Sequence, residues 1–398
     1  MNADDGRATD ADRLARAGLS RQVEPGELLV AREVAARGAE AAWERVRRQA
    51  AACGVALEVE PEQDLANAER LGVRFVVPGD GEWPAALDDL TRTAGSGEAA
   101  APWGLWVRGR LLLADLTGRA VAVVGSRAAT SYGLHVAGEL GLDLAAAGWH
   151  VVSGGAFGID GAAHRGALVG CGTRDGAQGT TVVVLAGGVD VLYPRSHTAL
   201  LTRVVDEGGL LASEAPPGSS PLRRRFLSRN RIIAALTAGT VVVEAGVRSG
   251  ALNTARHARR LGRPVLGVPG PVTSGLSVGP HLLVRQWPEA QLVTNAAEVI
   301  EAVGRIGELA PLPMGPPGPR DGLEPLMHQV LDAVPSRRPR PVEDIARRCG
   351  STADVVALVL QPLLTAGLVE RSPDGWHLSD LGRTPSGAAR TLGAGGRQ

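Results

Sequence analysis

Lysine is absent from this chain: all 42 basic residues are arginines, and 42 acids bring the formal net charge to zero. A Walker A lysine, a Schiff-base lysine and a lysine adenylate are therefore excluded. Any surface for a polyanion must be local, built where arginines cluster. Arginine forks suit phosphate and carboxylate, although genomic base composition is the first explanation of a lysine-free chain. Cysteine is nearly missing too. Cys53, Cys171 and Cys349 are far apart, odd in number and lack CxxC spacing, which supports neither a disulfide framework nor a zinc site. Aromatics make up 3%, too few for a platform on which successive bases stack. The stretch MNADDGRATDADR lacks the apolar segment of a signal peptide. No apolar run reaches the roughly 18 residues of a membrane span. The expectation is a soluble, cytoplasmic protein without membrane contact, metal or cofactor.

What is present divides into segments. At 398 residues the chain is long enough for two or three domains. Residues 1–70 read as a small helical domain, with Leu28, Val30, Val34, Ala35, Ala41, Trp43 and Val46 at amphipathic spacing. The stretches GVRFVVPGDGEWPAALDDL and WGLWVRG each contain a short strand and lead into the main domain, 71–305. There, strands are predicted at 120–124, 150–153, 181–185, 209–213, 240–244, 264–268 and 291–294, alternating with helix patterns. Strands apolar along their whole length are buried on both faces. The predicted fold is therefore α/β, a Rossmann-like parallel sheet with helices on both faces. Prolines and glycines make 306–322 a linker. Residues 323–380 give three short helices and two strands around an Asp-Gly turn, a winged helix. The polar, Gly-rich stretch 381–398 is expected to be a disordered tail.

Small and polar residues end the strands of the main domain. The first strand runs into Gly125-Ser126-Arg127, the second into Ser153-Gly154-Gly155 and then Gly158, and the third into Gly187. Glycine lets backbone approach a ligand, and amides at helix N-termini then face an anion. Arg223, Arg224, Arg225, Arg229 and Arg231 fall within nine residues. Phe226, Ile232 and Ile233 among them should fix the segment against the core and preorganise it. The following strand ends in Glu244, Ser249 and Gly250. Together with Arg195 these residues describe one composite crevice for phosphate or a nucleotide backbone. Asp160 opens a helix, where an acid caps amides; packing outweighs acid–base work for His164 one turn later. Glu244 could polarise a nucleophile or hold Arg229 or Arg231. A dinucleotide oxidoreductase is disfavoured, because the first loop is GSRAATSYG and Ser153 stands where a ribose-binding acid belongs. In the winged helix, arginines are matched by acids, which leaves protein contact as open as DNA contact.

The ordered motifs VAVVGSR, VVSGGAFGIDGAAH, VVVLAGGVDVLYPR, FLSRNRIIAAL and VVVEAGVRSGALNTARHA resemble those of the DNA-processing protein A family (DprA, also called Smf). The upstream GDGEWPAALDDL and WGLWVRG are similar to that family's lead-in. The resemblance is strong over 70–290. It implies an extended Rossmann domain flanked by a SAM-like helical domain and a winged helix, which binds single-stranded DNA, dimerises and loads RecA recombinase during natural transformation. It also implies DNA contacts at Arg127 and Arg195, matches the family's Phe-x-x-Arg-Asn-Arg segment at Phe226, Arg229, Asn230 and Arg231, and brings no established catalytic activity. Two departures stand out: Ser277-Val278-Gly279-Pro280-His281 where the family has Ser-x-Gly-x-Asn, and the extra loop CGTRDGAQGT. The alternative is a nucleotide-binding or nucleotide-hydrolysing enzyme of related fold, but EAGVRSGALNTARHA lacks the paired glycines and trailing acid of such enzymes. A duplex-reading regulator using the winged helix is a third reading.

Overall fold

The computed structural model describes residues 8–55, 60–93, 100–171, 179–304, 320 and 323–383. The linker apart from Arg320, most of the extra loop and the tail beyond Arg383 lie outside the described residues. The chain divides into two compact units, Met1–Ala310 and Pro311–Gln398.

The first unit begins with helices α1 (Asp10–Gln22), α2 (Leu28–Arg37), α3 (Ala39–Ala52) and α4 (Pro61–Arg70). Thr9 caps α1 by accepting from the Asp12 amide at 3.0 Å, and Asp10 and Asp12 place negative charge at its positive end. Next come β1 (Val73–Val76), the short α5 (Asp89–Thr93) and β2 (Leu105–Gly109). Ala17 of α1 and Ala68 of α4 share a core cluster with Val73, Phe75 and Trp106, and the Trp106 indole donates to Ser20 Oγ at 3.2 Å. The helical segment is thus packed onto the sheet and belongs to the same unit.

From there strand and helix alternate: β3 (Ala120–Val124), α6 (Ser131–Ala146), β4 (His150–Ser153), α7 (Ile159–Gly170), β5 (Thr181–Val184), α8 (Thr198–Asp206) and β6 (Leu210–Ser213). The second half continues with α9 (Arg225–Ala235), β7 (Gly239–Val242), α10 (Gly250–Arg260), β8 (Val265–Gly267), α11 (Val278–Gln286), β9 (Gln291–Leu292) and α12 (Ala296–Val303). These elements form a nine-stranded sheet in the order β1-β2-β6-β5-β4-β3-β7-β8-β9. Strands β3 to β9 are mutually parallel where they pair, while β2 runs antiparallel to β6, and β1 to β2. The two lead-in strands therefore extend the sheet itself and cover its β6 edge, an arrangement that needs no crossover helix.

Both faces are covered, as the uniformly apolar strands require. Alternate residues of β3 point to opposite sides: Ala120, Ala122 and Val124 pack with α9 and α10, Val121 and Val123 with α6, α7 and α12. Chain order reverses at β3, with β4 paired to one side and β7 to the other. Such a switch point opens a crevice at the carboxyl ends of the strands.

The second unit holds α13 (Pro325–Ala333), α14 (Val342–Cys349), α15 (Ala353–Thr365), β10 (Val369–Ser372) and β11 (Gly375–Leu378). Val330, Ile345, Leu360, Leu363 and Trp376 fill its core. The register pairs Ser372 with Gly375, so the turn residues are Pro373 and Asp374, and Gly375 (φ 129°) opens the second strand where an Asp-Gly turn was expected. Helix α15, with sequence ADVVALVLQPLLT, carries no cation, and Leu358 on it is 73% exposed. That surface has no arginine for guanine edges or phosphates, which leaves Gln361 and Thr365 as its side-chain donors.

Candidate nucleic-acid interface

A cleft of about 770 Å³ opens at the switch point. Gly125 and Arg127 after β3, Asp160 at the start of α7, Arg223, Phe226, Leu227, Arg229 and Asn230 around α9, and Arg248 to Gly250 at the start of α10 contribute to its walls. Four arginines, Arg127, Arg223, Arg229 and Arg248, face it against one carboxylate, Asp160. Three of these cations are exposed, and among the described residues Arg127, Arg223 and Arg248 have no acidic partner. Ser249 caps α10 by accepting from the Ala251 amide at 3.3 Å, so that helix N-terminus also faces the cleft.

Arg229 and Asp160 form the floor. Both are 7% exposed. The Arg229 guanidinium fills the space where a Cβ at Gly154 would stand, and its Nη1 donates to the Val184 carbonyl. Its Nε is buried and has no hydrogen-bond partner among the described residues. Burial, opposed by Asp160 and reinforced by Arg127, brings its pKa down to about 10. Asp160 Oδ2 accepts from the Gly154 and Ala156 amides at 3.2 and 3.4 Å, and burial raises its pKa against the pull of Arg229. Asn230 Nδ2 ties α9 to α10 through Gly250 O at 3.3 Å and Asn253 Oδ1 at 3.2 Å.

The loop bearing Arg127 is clamped by Glu244. The Ser126 amide donates to the Glu244 carbonyl at 2.7 Å. At the other end, the Thr130 amide and hydroxyl donate to the Glu244 side chain at 2.9 and 2.6 Å. Thr130 Oγ1 in turn accepts from the Gly133 amide and caps α6. Glu244 is 2% exposed and outside the cleft. It holds neither Arg229 nor Arg231, the partners considered from sequence, because the Thr130 loop reaches it first. Gly158, at φ 75°, closes the opposite side: a Cβ there would strike the carbonyls of Ser126 and Arg127. We expect Glu244→Ala to lower unfolding free energy by about 1–3 kcal/mol, the cost of an unpaired buried amide. Glu244→Gln, which keeps an acceptor for the Thr130 amide, should lose less, both read by urea unfolding.

Not every expected residue reaches the cleft. Arg231 is fully buried and turned inward, paired to Glu214 at 2.6 and 2.7 Å. On α9 it lies two residues beyond Arg229, hence on the opposite face of the helix. Ser153 is buried and donates to Val123 O at 2.7 Å, locking β4 to β3. Gly155 (φ 66°) gives its amide to His164 Nε2 at 3.3 Å. A Cβ at Gly187 would meet Ser219 O and Pro221 N, so that glycine lets the segment before α9 pack closely. Arg195 is exposed on a short 3-10 turn and does not line the cleft.

Sequence reading placed Phe226 in the site but missed Arg248 and Tyr193. The Arg127 guanidinium lies 5.1 Å from the Phe226 ring centroid, and the Tyr193 and Phe226 rings meet edge to face with centroids 5.7 Å apart. Tyr193 and Phe226 line the cleft. A low aromatic count therefore coexists with local concentration. The signal available was position alone: Arg248 follows the strand containing Val242, and Tyr193 follows the one ending at Val184.

Fold and cleft define the class: a Rossmann-like α/β protein with an arginine-lined cleft at its switch point, in one chain with a winged helix. Its family is the DNA recombination-mediator protein A family, to which the chain belongs, the family model matching residues 74–304. The DprA winged helix domain matches 314–375. The putative DNA processing protein DprA of Mycobacterium tuberculosis (strain H37Rv) is 44% identical over 391 residues, 95% of this chain and 97% of that protein. Protein Smf of Escherichia coli K12 is 38% identical over 284 residues, 69% of this chain and 71% of that protein. The X-ray structure of DprA from Streptococcus pneumoniae aligns with a TM-score of 0.57 at 28% identity, covering 77% of this chain and 100% of that one. Among the described residues no helix is long and apolar enough to cross a membrane.

Proposed function

We propose that this protein binds single-stranded DNA through the switch-point cleft and acts as a recombination mediator, delivering incoming strands to the RecA recombinase in natural transformation. It does so as a cytoplasmic homodimer without catalysing a reaction. The observation that carries the reading is the excess of four arginines over one carboxylate around a cleft floored by an unpartnered Arg229 Nε. Such a charge excess favours phosphodiester. Phe226 and Tyr193 beside Arg127 add faces for bases, which a duplex keeps stacked and out of reach. Family membership supports the mediator role. The nucleotide-hydrolase alternative would need a free acid at the strand end, and Glu244 is engaged with Thr130.

The test is a salt titration of oligonucleotide binding. Affinity for a single strand should exceed that for duplex and fall with salt by about 0.7 log units per decade for each phosphate contact. Arg127→Ala should weaken binding roughly 10- to 100-fold, the effect of one charge-assisted hydrogen bond, on every sequence alike. Unchanged affinity in that variant would overturn the site. RecA loading on strands coated with single-strand-binding protein, compared between wild type and Arg127→Ala, tests the mediator step.

A further inference from the structure

Two arginines beside the cleft, Arg224 and Arg225, are occupied. Glu24, just beyond α1, accepts with Oε1 from Arg224 Nη2 at 2.5 Å and from Arg225 Nη2 at 2.9 Å, and with Oε2 from Arg225 Nε at 3.2 Å. One anion bridging two guanidinium forks is also how a phosphate would be held there. The carboxylate is not a stray surface group. Three residues earlier, Arg21 pairs with the buried Asp64 and donates to Pro217 O at 3.0 Å and Ser219 Oγ at 3.4 Å. Those contacts anchor the end of α1 on the segment that leads into α9.

We propose that Arg224 and Arg225 form a second phosphate-binding step, continuous with Arg223 in the cleft, and that Glu24 holds it as a carboxylate stand-in until a DNA strand displaces it. This rests on the single-strand reading above.

The pair is built to exchange. The side chains of Arg224 and Glu24 are 66% and 40% exposed, and an ion pair so hydrated is weak, while Arg225, at 15%, is the more sheltered partner. The Arg231–Glu214 pair nearly two turns along the same segment, at 0% and 7% exposure, cannot open to solvent without unfolding α9. Glu24 is also charged throughout the physiological range: its hydrogen bond from Arg224, with help from Arg225 and against partial burial, lowers its pKa to about 2. The exchange is therefore anion for anion, and Arg224 and Arg225 never stand uncompensated. By this route the N-terminal helical segment sets a threshold for binding: short or weakly held polyanions fail to displace Glu24, and strands already held in the cleft succeed.

The experiment measures binding of a fluorescent oligothymidylate to the full chain across a salt series, with thermal unfolding of each variant as a folding control. Glu24→Gln should tighten binding about 1.5- to fivefold by removing a competitor of surface-pair strength. The double variant Arg224→Gln/Arg225→Gln should flatten the log–log salt slope by about 1.4, two contacts at 0.7 each. In that background Glu24→Gln should have no further effect. If wild type binds the strand but Glu24→Gln leaves affinity unchanged or weakens it, the stand-in role is wrong and the cleft reading survives. If the double variant keeps the wild-type slope, the second phosphate step is wrong. If wild type binds no single strand at all, the reading of the cleft fails and this inference falls with it.

Discussion

Arg231→Ala should destabilise the protein by about 3–5 kcal/mol, because it strands a buried carboxylate without its partner. Glu214 is 8% exposed and receives two of the Arg231 hydrogen bonds. Arg231 Nε also donates to Ala100 O at 2.9 Å, and Nη1 to Ser228 O at 3.2 Å, so the substitution would untie the chain before β2 from α9. Urea unfolding followed by circular dichroism reads the loss. Replacing both partners with apolar residues, as in Arg231→Met/Glu214→Leu, should recover most of it, since the desolvation of two charges disappears along with their attraction. A loss below about 1 kcal/mol in Arg231→Ala, the range of an exposed pair, would show that the pair is open to water. This variant separates architecture from binding: Arg231 lies in the arginine cluster by sequence but belongs to the core by structure.

The second large effect is acid instability centred on His164. This ring is fully buried and touches two elements of the site. Thr181 Oγ1 donates its proton to Val151 O at 2.7 Å, so it must accept from His164 Nδ1, also at 2.7 Å. Nε2 is then the acceptor for the Gly155 amide. Protonating Nε2 would set two donors against each other and release the loop that carries Gly154 and Ala156 onto Asp160. Burial, with the nearby charges of His197, Arg229 and Arg165, lowers the pKa to about 3. In the unfolded chain the ring titrates near 6.5. Between those values the unfolded state binds more protons than the folded state. The stabilisation is thus complete above pH 6.5 or so and declines as pH falls, by up to ~1.4 kcal/mol per pH unit. His257, lowered to about 4 by burial and by Arg231 and Arg256, bends the curve the same way. The decisive comparison is therefore with His164→Gln, whose unfolding free energy should fall less steeply between pH 6.5 and 4 than that of wild type. Identical slopes would show that His164 is protonated in the folded protein.

Much of the architecture was legible because it depends on local pattern. A run such as Ala120–Val124, apolar at every position, and one such as Thr181–Val184, apolar after its threonine, read as interior strands of a sheet covered on both sides. Their boundaries came within two residues of those seen, as at Gln291–Leu292 for the predicted 291–294. Register and order were not legible: nothing in WGLWVRG says that it pairs antiparallel with β6, since that depends on a strand a hundred residues later.

Sequence alone determined that an arginine-rich, lysine-free rim would stand at the ends of parallel strands, because residue type and strand position follow from the chain read in order. It also determined the family, through motifs whose order is itself a property of the chain. Only the tertiary structure decided which arginines face the cleft. Helix α9 turns about 100° per residue, so Arg229 reaches the cleft floor and Arg231 the core. Distant partners then fixed the remaining roles: Glu214 removes Arg231 from the surface, Glu24 covers Arg224 and Arg225, and Thr130 takes up Glu244. Each pairing joins residues 17 to 201 positions apart, a separation over which spacing carries no information and only packing does.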